Sequence, residues 1–291
     1  MIKCIVCDLD GTLIKHDDTI EERTLRKLKE CIKHGVEFIV ATGRDINMVV
    51  DFLDQYQLDC DLILNNGTQY RNREGTFNEI YPMNNDSFLR IATILYQYGY
   101  LLAIHTDHGK YSLVDQDEFW DYHVKLLLQN PRYTSEEELP KKTFTTREGY
   151  LRDFHYVKDP QDIINQGIRV LKIDARHLSV NSIQGVRAKL DSEDLDISSS
   201  FEDNIEITSH QYNKGTMLEK VVKEKGYQDD EVAVFGDGLN DVGMLQRFPY
   251  SFAPANAGKE AKKAATYQLH CSDDTGAVGE GLELLEGLNL L

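Results

Sequence analysis

No run of apolar residues in this 291-residue chain approaches the ~20 that a membrane-spanning helix requires, so no membrane partner is expected. Basic residues are scarce too. The 32 lysines and arginines face 49 aspartates and glutamates, a formal net charge of −17 at pH 7. A surface of that sign lacks the basic stripe that a phosphate backbone needs, so no nucleic-acid partner is expected either. The five cysteines, an odd number spread along the chain, argue against a disulfide framework. Cys4 and Cys7 form a C-x-x-C, but inside an apolar strand pattern residues i and i+3 face opposite sides, so both read as core residues. Internal repeats and low-complexity segments are missing. The N-terminus reads as a strand and not as a signal peptide, which makes the cytoplasm the expected location.

What is present is an ordinary soluble composition, 41% hydrophobic and 28% charged, with one arresting segment. The apolar run Ile2-Lys3-Cys4-Ile5-Val6-Cys7 reads as a buried parallel strand and leads directly into Asp8-Leu9-Asp10-Gly11-Thr12. In open α/β sheets, ligands collect where such strands end. While the chain stays extended, i and i+2 point to the same side, so two carboxylates can reach one site. Gly11 allows the backbone to turn sharply beside a ligand. An ordinary Asp-Gly turn is the competing reading of this segment alone.

The first eighty residues alternate strand and helix. Thr19 and Glu22 have capping-box spacing, Leu25, Leu28 and Ile32 form a helical stripe, and Gly35 is a natural stop. Phe38–Ala41 follows as a strand, then a helix from about Asp45 to Tyr56, then the strand Leu62–Leu64. This βαβαβ order implies a parallel sheet with right-handed crossovers. From about Asn84 the pattern changes. A helix carrying Phe88, Ile91, Leu95 and Tyr98 leads into the strands Leu101–Ile104 and Tyr111–Val114, with a hairpin turn at Asp107-His108-Gly109. Residues 130–150 read as loop and short helix. Then come a strand at Val170–Ile173, a helix at Ile183–Leu190, and a hairpin of Ile197–Phe201 and Ile205–Thr208 turning at Glu202-Asp203-Asn204. Past Lys214 the first pattern returns. Met217, Leu218, Val221 and Val222 mark a helix and Glu231–Phe235 a strand. A short helix after Asn240, the strand Tyr250–Ala253 and a helix from about Thr275 to Leu288 complete the chain. One α/β core, residues 1–83 and 211–291, is thus interrupted by an α+β insert, residues 84–210.

Three further segments sit at matching junctions. Ala41-Thr42-Gly43-Arg44 closes the second strand, where Thr42 and the N–H of Gly43 can hold an oxyanion. Lys214-Gly215 opens the helix after the insert. Gly236-Asp237-Gly238-Leu239-Asn240-Asp241 closes the fourth core strand. Singly, Thr42 as an N-cap, Lys214 as a surface charge and Asp237 as a turn residue are ordinary alternatives. Four such junctions in this order form a pattern.

That pattern resembles the four motifs of the haloacid dehalogenase (HAD) superfamily. Asp8-Leu9-Asp10-Gly11-Thr12 matches the first, Thr42 the second, Lys214 the third, and Gly236-Asp237 with Asn240-Asp241 the fourth. The long α+β insert, Asn65-Asn66-Gly67, Asn256-Ala257 and the DxDGT form are similar to the Cof-type branch, class IIB. Pro254-Ala255 replaces that branch's usual Met-Gly, and His210-Gln211-Tyr212-Asn213 its Pro-x-Gly. The resemblance implies an α/β fold, a Rossmann-like parallel-sheet core carrying a C2-type cap. It also implies a Mg²⁺-dependent phosphatase acting on small phosphorylated metabolites, with sugar phosphates favoured. Asp8 would be the nucleophile and Asp10 the acid/base, with Thr42 and Lys214 completing the catalytic set. Leu9, Thr42, Gly43, Lys214 and Asn240 would surround the phosphate. Asp8, Asp10 (through its backbone carbonyl), Asp237 and Asp241 would hold the metal.

The charges agree with that implication. Three carboxylates where a phosphate dianion must dock need a cation, and Mg²⁺ with Lys214 brings the site near zero if Asp10 is protonated. No His or Cys cluster competes, which argues against zinc. Asp10 favours a phosphatase or phosphomutase over relatives that cleave phosphonates or remove halide. A phosphomutase and a non-catalytic binding module of the same fold are the rival readings. Within the insert, His105, Trp120, Tyr122 and His123 are the candidate substrate contacts, against the commoner role of aromatics as core. A monomer or small homo-oligomer is the expected state.

Overall fold

The computed structural model describes residues 1–15, 17–131, 133–139, 143–190, 194–199 and 203–291. The chain runs through β1 (Cys4–Cys7), α1 (Glu22–Lys33), β2 (Glu37–Ala41), α2 (Val50–Tyr56), β3 (Asp61–Leu64), β4 (Gln69–Arg71) and β5 (Asn78–Ile80). It continues through α3 (Asn85–Gln97), β6 (Leu101–Thr106), β7 (Gly109–Ser112), α4 (Gln116–Leu127), α5 (Arg147–Tyr150), β8 (Phe154–Tyr156) and α6 (Pro160–Asn165). Then follow β9 (Val170–Arg176), α7 (Val180–Leu190), β10 (Leu195–Ser198) and β11 (Asn204–Ser209). The last stretch holds α8 (Lys214–Glu224), β12 (Val232–Phe235), α9 (Val242–Arg247), β13 (Tyr250–Ala253), α10 (Lys259–Ala264), β14 (Tyr267–Gln268) and α11 (Ala277–Gly287).

Two compact units result: residues 1–44, 52–79 and 212–291 form the first, and residues 45–51 and 80–211 the second. Among the described residues, the first unit's sheet has the order β14-β13-β12-β1-β2-β3-β4-β5. The pairs β13–β14, β12–β13, β1–β12, β1–β2 and β2–β3 are parallel, while β4 returns antiparallel to β3. The chain steps outward from β1 on one side and from β12 on the other. The strand order therefore reverses between those two strands, and the Rossmann-like rule puts a ligand at their carboxyl ends. β1 is buried throughout, as its unbroken apolar sequence requires. Burial drives the Cys4 and Cys7 thiols up, so neither offers a thiolate at neutral pH. No helix among the described residues is long and apolar enough to cross a membrane.

Two local expectations are corrected. α1 is capped by Glu21, whose carboxylate accepts from Arg23 N and Thr24 N at 2.9 and 2.8 Å. Thr19, the expected cap, is drawn instead to Asp17 by its backbone N–H at 3.1 Å. The helix expected from about Asp45 is a 3₁₀ turn, Ile46–Met48, before α2 begins at Val50. The Asp45 carboxylate accepts from Met48 N at 3.2 Å, which holds the turn tight.

In the second unit, five strands in the order β10-β11-β9-β6-β7 pair antiparallel, and β8 joins β7 in parallel. Period-2 alternation gives this sheet two unlike faces. Leu102, Ile104, Ile173, Ala175, Ile205 and Ile207 pack under helices α3, α6 and α7. On the other face Leu101 and Ala103 meet Phe119, Trp120 and Tyr150. Helix α4 escapes the sequence reading, although Phe119, Trp120, His123 and Leu126 are its buried stripe. Of the expected last hairpin, β10 and β11 pair from Leu195↔Ser209 to Ser198↔Glu206, whereas Phe201 and Glu202 lie outside the described residues.

This unit buries two neutral histidines. Burial, followed by the nearby Arg176 charge, lowers His123 to about 3. Burial and Lys172 lower His105 to about 4 although Asp45 opposes them. Below an unfolded pKa of ~6.5 the unfolded chain takes up protons that these folded-state histidines do not, so stability falls as pH drops from 6.5 toward 4. Each contributes a loss of roughly 3 kcal/mol at pH 4. We expect His123→Phe to lose about 2–3 kcal/mol less than the parent between pH 7 and 4.5 in urea titrations. An unchanged pH slope would count against the neutral-histidine account.

Candidate active site

The site forms at the reversal point of the first unit's sheet. Asp8 follows β1 and donates its N–H to Phe235 O at 3.0 Å, so its start is pinned to β12. Leu9 O then accepts from Thr12, Leu13 and Ile14 N at 3.2, 3.0 and 3.0 Å, closing a tight turn. Gly11 sits in that turn at φ +80°, and a Cβ there would lie 2.5 Å from Asp237 Oδ2. Only glycine lets the two loops approach so closely. Thr12 Oγ1 donates to Asp237 Oδ1 at 2.9 Å, and Asn256 Nδ2 donates to Gly11 O at 2.7 Å.

Lys214 is the first residue of α8 and is completely buried. Asn213 caps that helix by accepting from Thr216 N at 3.0 Å while Thr216 Oγ1 accepts from Asn213 N at 2.9 Å. The altered approach to the lysine therefore still ends in a well-formed cap. Gly67, at φ +102°, lies under it; a Cβ there would meet Asn213 backbone atoms at 2.2–2.4 Å. Lys214 Nζ donates to Asp8 Oδ1 at 2.6 Å and to Asp241 Oδ1 at 2.8 Å. The other Asp241 oxygen accepts from Asp237 N and Gly238 N at 3.0 and 2.9 Å, fixing the loop after β12.

One ligand oxygen from each of Asp8, Asp237 and Asp241 lies within 4.8 Å of the others. Burial holds Asp8 well above the ordinary carboxylate range, with Asp241, Asp237 and Asp10 adding to it against the pull of Lys214. Burial and Asp241 push Asp237 up to about 7. Lys214, which burial alone would lower, is held high by Asp241 and Asp8. Three crowded acids with a single amine are a site short of positive charge. Hard oxygen donors at this spacing fit a small divalent cation, whose opposite ligands stand ~4.2 Å apart at ~2.1 Å bonds.

The Asp10 carboxylate stands outside this cluster and is half exposed. It accepts from Arg44 Nε at 2.8 Å and Nη2 at 2.5 Å, a two-point pairing with a guanidinium. Thr42 is buried, and its Oγ1 accepts from Arg44 N at 3.2 Å in a local turn, not as a helix cap. Leu9 is buried and Gly43 half-buried at the same end of the sheet. Asn240 Nδ2 donates to Asn66 Oδ1 at 3.0 Å, and Asn66 holds a left-handed backbone at φ 59°. The sequence reading left Thr12, Arg44 and Asn66 without a role. The signal for Arg44 was its place two residues past Thr42.

The four aromatic candidates of the second unit divide. Trp120 belongs to the apolar cluster and its Nε1 donates to Glu136 Oε1 at 2.9 Å, while His123 is buried against that cluster, stacked on Tyr150 with ring centroids 4.1 Å apart. Tyr122 OH accepts from Leu178 N at 3.3 Å, a structural bond. His105 alone lies on the polar part of the sheet, its Nδ1 2.9 Å from Asp45 Oδ2. Register places Lys110 and Lys172 on either side of it, both buried and missed by the sequence reading. Lys110 Nζ donates to Tyr150 O at 2.7 Å, and Lys172 pairs with Glu206 at 3.5 Å.

Residues 5–282 match the family model of haloacid dehalogenase-like hydrolases. The 5-amino-6-(5-phospho-D-ribitylamino)uracil phosphatase YcsE of Bacillus subtilis is 25% identical over 270 residues, 91% of this chain and 89% of its own. The pyridoxal phosphate phosphatase YbhA of Escherichia coli is 25% identical over 265 residues, covering 90% and 91%. A solved haloacid dehalogenase-like hydrolase from B. subtilis has the same fold, with a TM-score of 0.84 at 23% identity over 98% of this chain and 100% of that one.

Proposed function

We propose, on the premise that the chain belongs to the haloacid dehalogenase-like hydrolase family, that it is a Mg²⁺-dependent phosphatase of small phosphate monoesters. The observation that carries this reading is the cluster of Asp8, Asp237 and Asp241 around the buried Lys214 amine. Asp8, Asp237, Asp241 and the Asp10 carbonyl would hold the metal. When bound, Mg²⁺ would supply the positive charge the cluster lacks and draw electron density from the phosphoryl group.

Asp8 attacks phosphorus, the bond to the leaving oxygen breaks, and Asp10 delivers a proton to that oxygen. Asp10, now a carboxylate, takes a proton from the water that hydrolyses the aspartyl-phosphate, which frees Asp8 and phosphate. Lys214, Thr42, Asn240 and the N–H groups of Leu9 and Gly43 hold the charge of the transferring group, the main source of catalysis in phosphoryl transfer. Residues 1–83 and 211–291 carry this chemistry, and residues 84–210 select the leaving group. The substrates in the names of the two relatives are phosphate esters of small polar metabolites with a ring or chain body, which supports that class for this chain.

The test is phosphate release from p-nitrophenyl phosphate and a panel of phosphorylated metabolites, with Mg²⁺ and with EDTA. We expect turnover with Mg²⁺ and a loss of about 100-fold or more in EDTA. Isomerisation of a sugar bisphosphate without phosphate release would establish a mutase instead. No turnover of any ester would leave a binding module.

A further inference from the structure

We infer that Arg44 is the positioning residue for Asp10, aiming the general acid at the leaving oxygen; this rests on the phosphatase reading and assigns a residue it leaves without a role. Arg44 is fixed before its side chain begins. Its N–H donates to Thr42 Oγ1 at 3.2 Å, and its carbonyl accepts from Asn65 N at 3.1 Å. The side chain is only 11% exposed, so its stem has little freedom. The guanidinium then meets Asp10 through two nitrogens, Nε at 2.8 Å and Nη2 at 2.5 Å, a fork that sets the plane of the carboxylate as well as its distance. A second acid, Asp18, accepts from the same Nη2 at 3.3 Å. Asp18 reaches it from a left-handed backbone at φ 58°.

Asp10 needs such a guide. Its carboxylate is 54% exposed and belongs to a loop, so the direction in which it points depends on what grips it. A misplacement of about 1 Å in an acid that must meet one oxygen costs on the order of 100-fold. The penalty falls on the step in which the proton is needed. An alkyl phosphate leaves as an alkoxide and needs that proton. p-Nitrophenyl phosphate leaves as a stable anion and does not.

The leaving group therefore separates positioning from general damage. For Arg44→Ala we expect kcat/KM on a primary alkyl phosphate to fall about 100-fold, and on p-nitrophenyl phosphate less than about fivefold. Arg44→Lys, which keeps the charge but not the fork, should lie between them with the same selectivity. Asp18→Asn should shift the ratio of the two substrates in the same direction by a smaller factor. Equal losses on both substrates would show that Arg44 serves phosphate binding or folding and would overturn the inference. A crystal structure of Arg44→Ala with the Asp10 side chain unmoved would overturn it whatever the rates. If the parent protein hydrolyses neither ester, the phosphatase reading itself falls, and that structure still decides whether Arg44 sets Asp10.

Discussion

Asp8→Asn is expected to give a folded protein that releases no measurable phosphate from any ester, a loss of at least about four orders of magnitude. The amide keeps the shape and an oxygen that can accept from Lys214 Nζ, now 2.6 Å from Asp8 Oδ1, but it cannot attack phosphorus. Stability should not suffer. The folded-state pKa of Asp8 is raised, foremost by burial, so the folded protein binds more protons than the unfolded chain above pH 3.8. Its ionised form is therefore a cost at neutral pH, and stability falls as pH rises through this range. Removing the charge removes that cost. In EDTA at pH 7 the variant should melt no lower than the parent, as is common when a strained catalytic group is neutralised. Circular dichroism melts and a phosphate-release assay check both halves. Rapid quench with a radiolabelled substrate adds a third readout, since the parent should trap label on protein and the variant none. Parent-like turnover by the variant would remove the nucleophile assignment.

How much of this was legible in the sequence depends on how local the cause was. The β1 run and the two acids behind it were readable because burial on both faces demands an unbroken apolar strand. The strand order that sets β12 beside β1, and with it the reversal, came only from the structure. Local chemistry misled where two candidates competed within a few residues: Glu21 reached the first N–H groups of α1 with a longer side chain, and Thr19 was drawn to Asp17. Helix α4 is hard to read because Trp120 and His123 suit a set of substrate contacts as well as the buried stripe they form with Phe119 and Leu126. Long-range geometry stayed hidden. Nothing local says that β9 pairs with both β6 and β11, or that Arg44 reaches back 34 residues to Asp10. The row of Lys110, His105 and Lys172 depends on that same register, which no single strand encodes.

Lys214→Met is the second large effect, and it should appear in stability as much as in rate. Lys214 has no exposure and is the amine between Asp8 and Asp241, at 2.6 and 2.8 Å. Met preserves most of the volume and none of the charge, so Asp8, Asp237 and Asp241 remain crowded without it. Removing one partner of a buried ion pair costs about 3–5 kcal/mol. For a chain of this size that is a fall of roughly 5–15 °C in Tm. Two dependences distinguish this from a simple packing defect. Mg²⁺ should restore more of the Tm in the variant than it adds to the parent, because a bound cation supplies the missing charge. In EDTA, the deficit should also shrink as pH falls. Asp237 already sits near 7 in the parent through burial and Asp241, and losing the amine raises it further. Raised carboxylates in the folded state bind protons that the unfolded chain, near 4, does not, so stability rises as pH drops from about 7 toward 5. Turnover should fall by about a thousandfold or more with Mg²⁺ present, since the proposed mechanism also has the amine hold the charge of the transferring group. Differential scanning fluorimetry across pH, with EDTA and with Mg²⁺, measures the first two effects. A Tm deficit indifferent to both would mean that Lys214 is needed for packing, and that the three acids do not share one field.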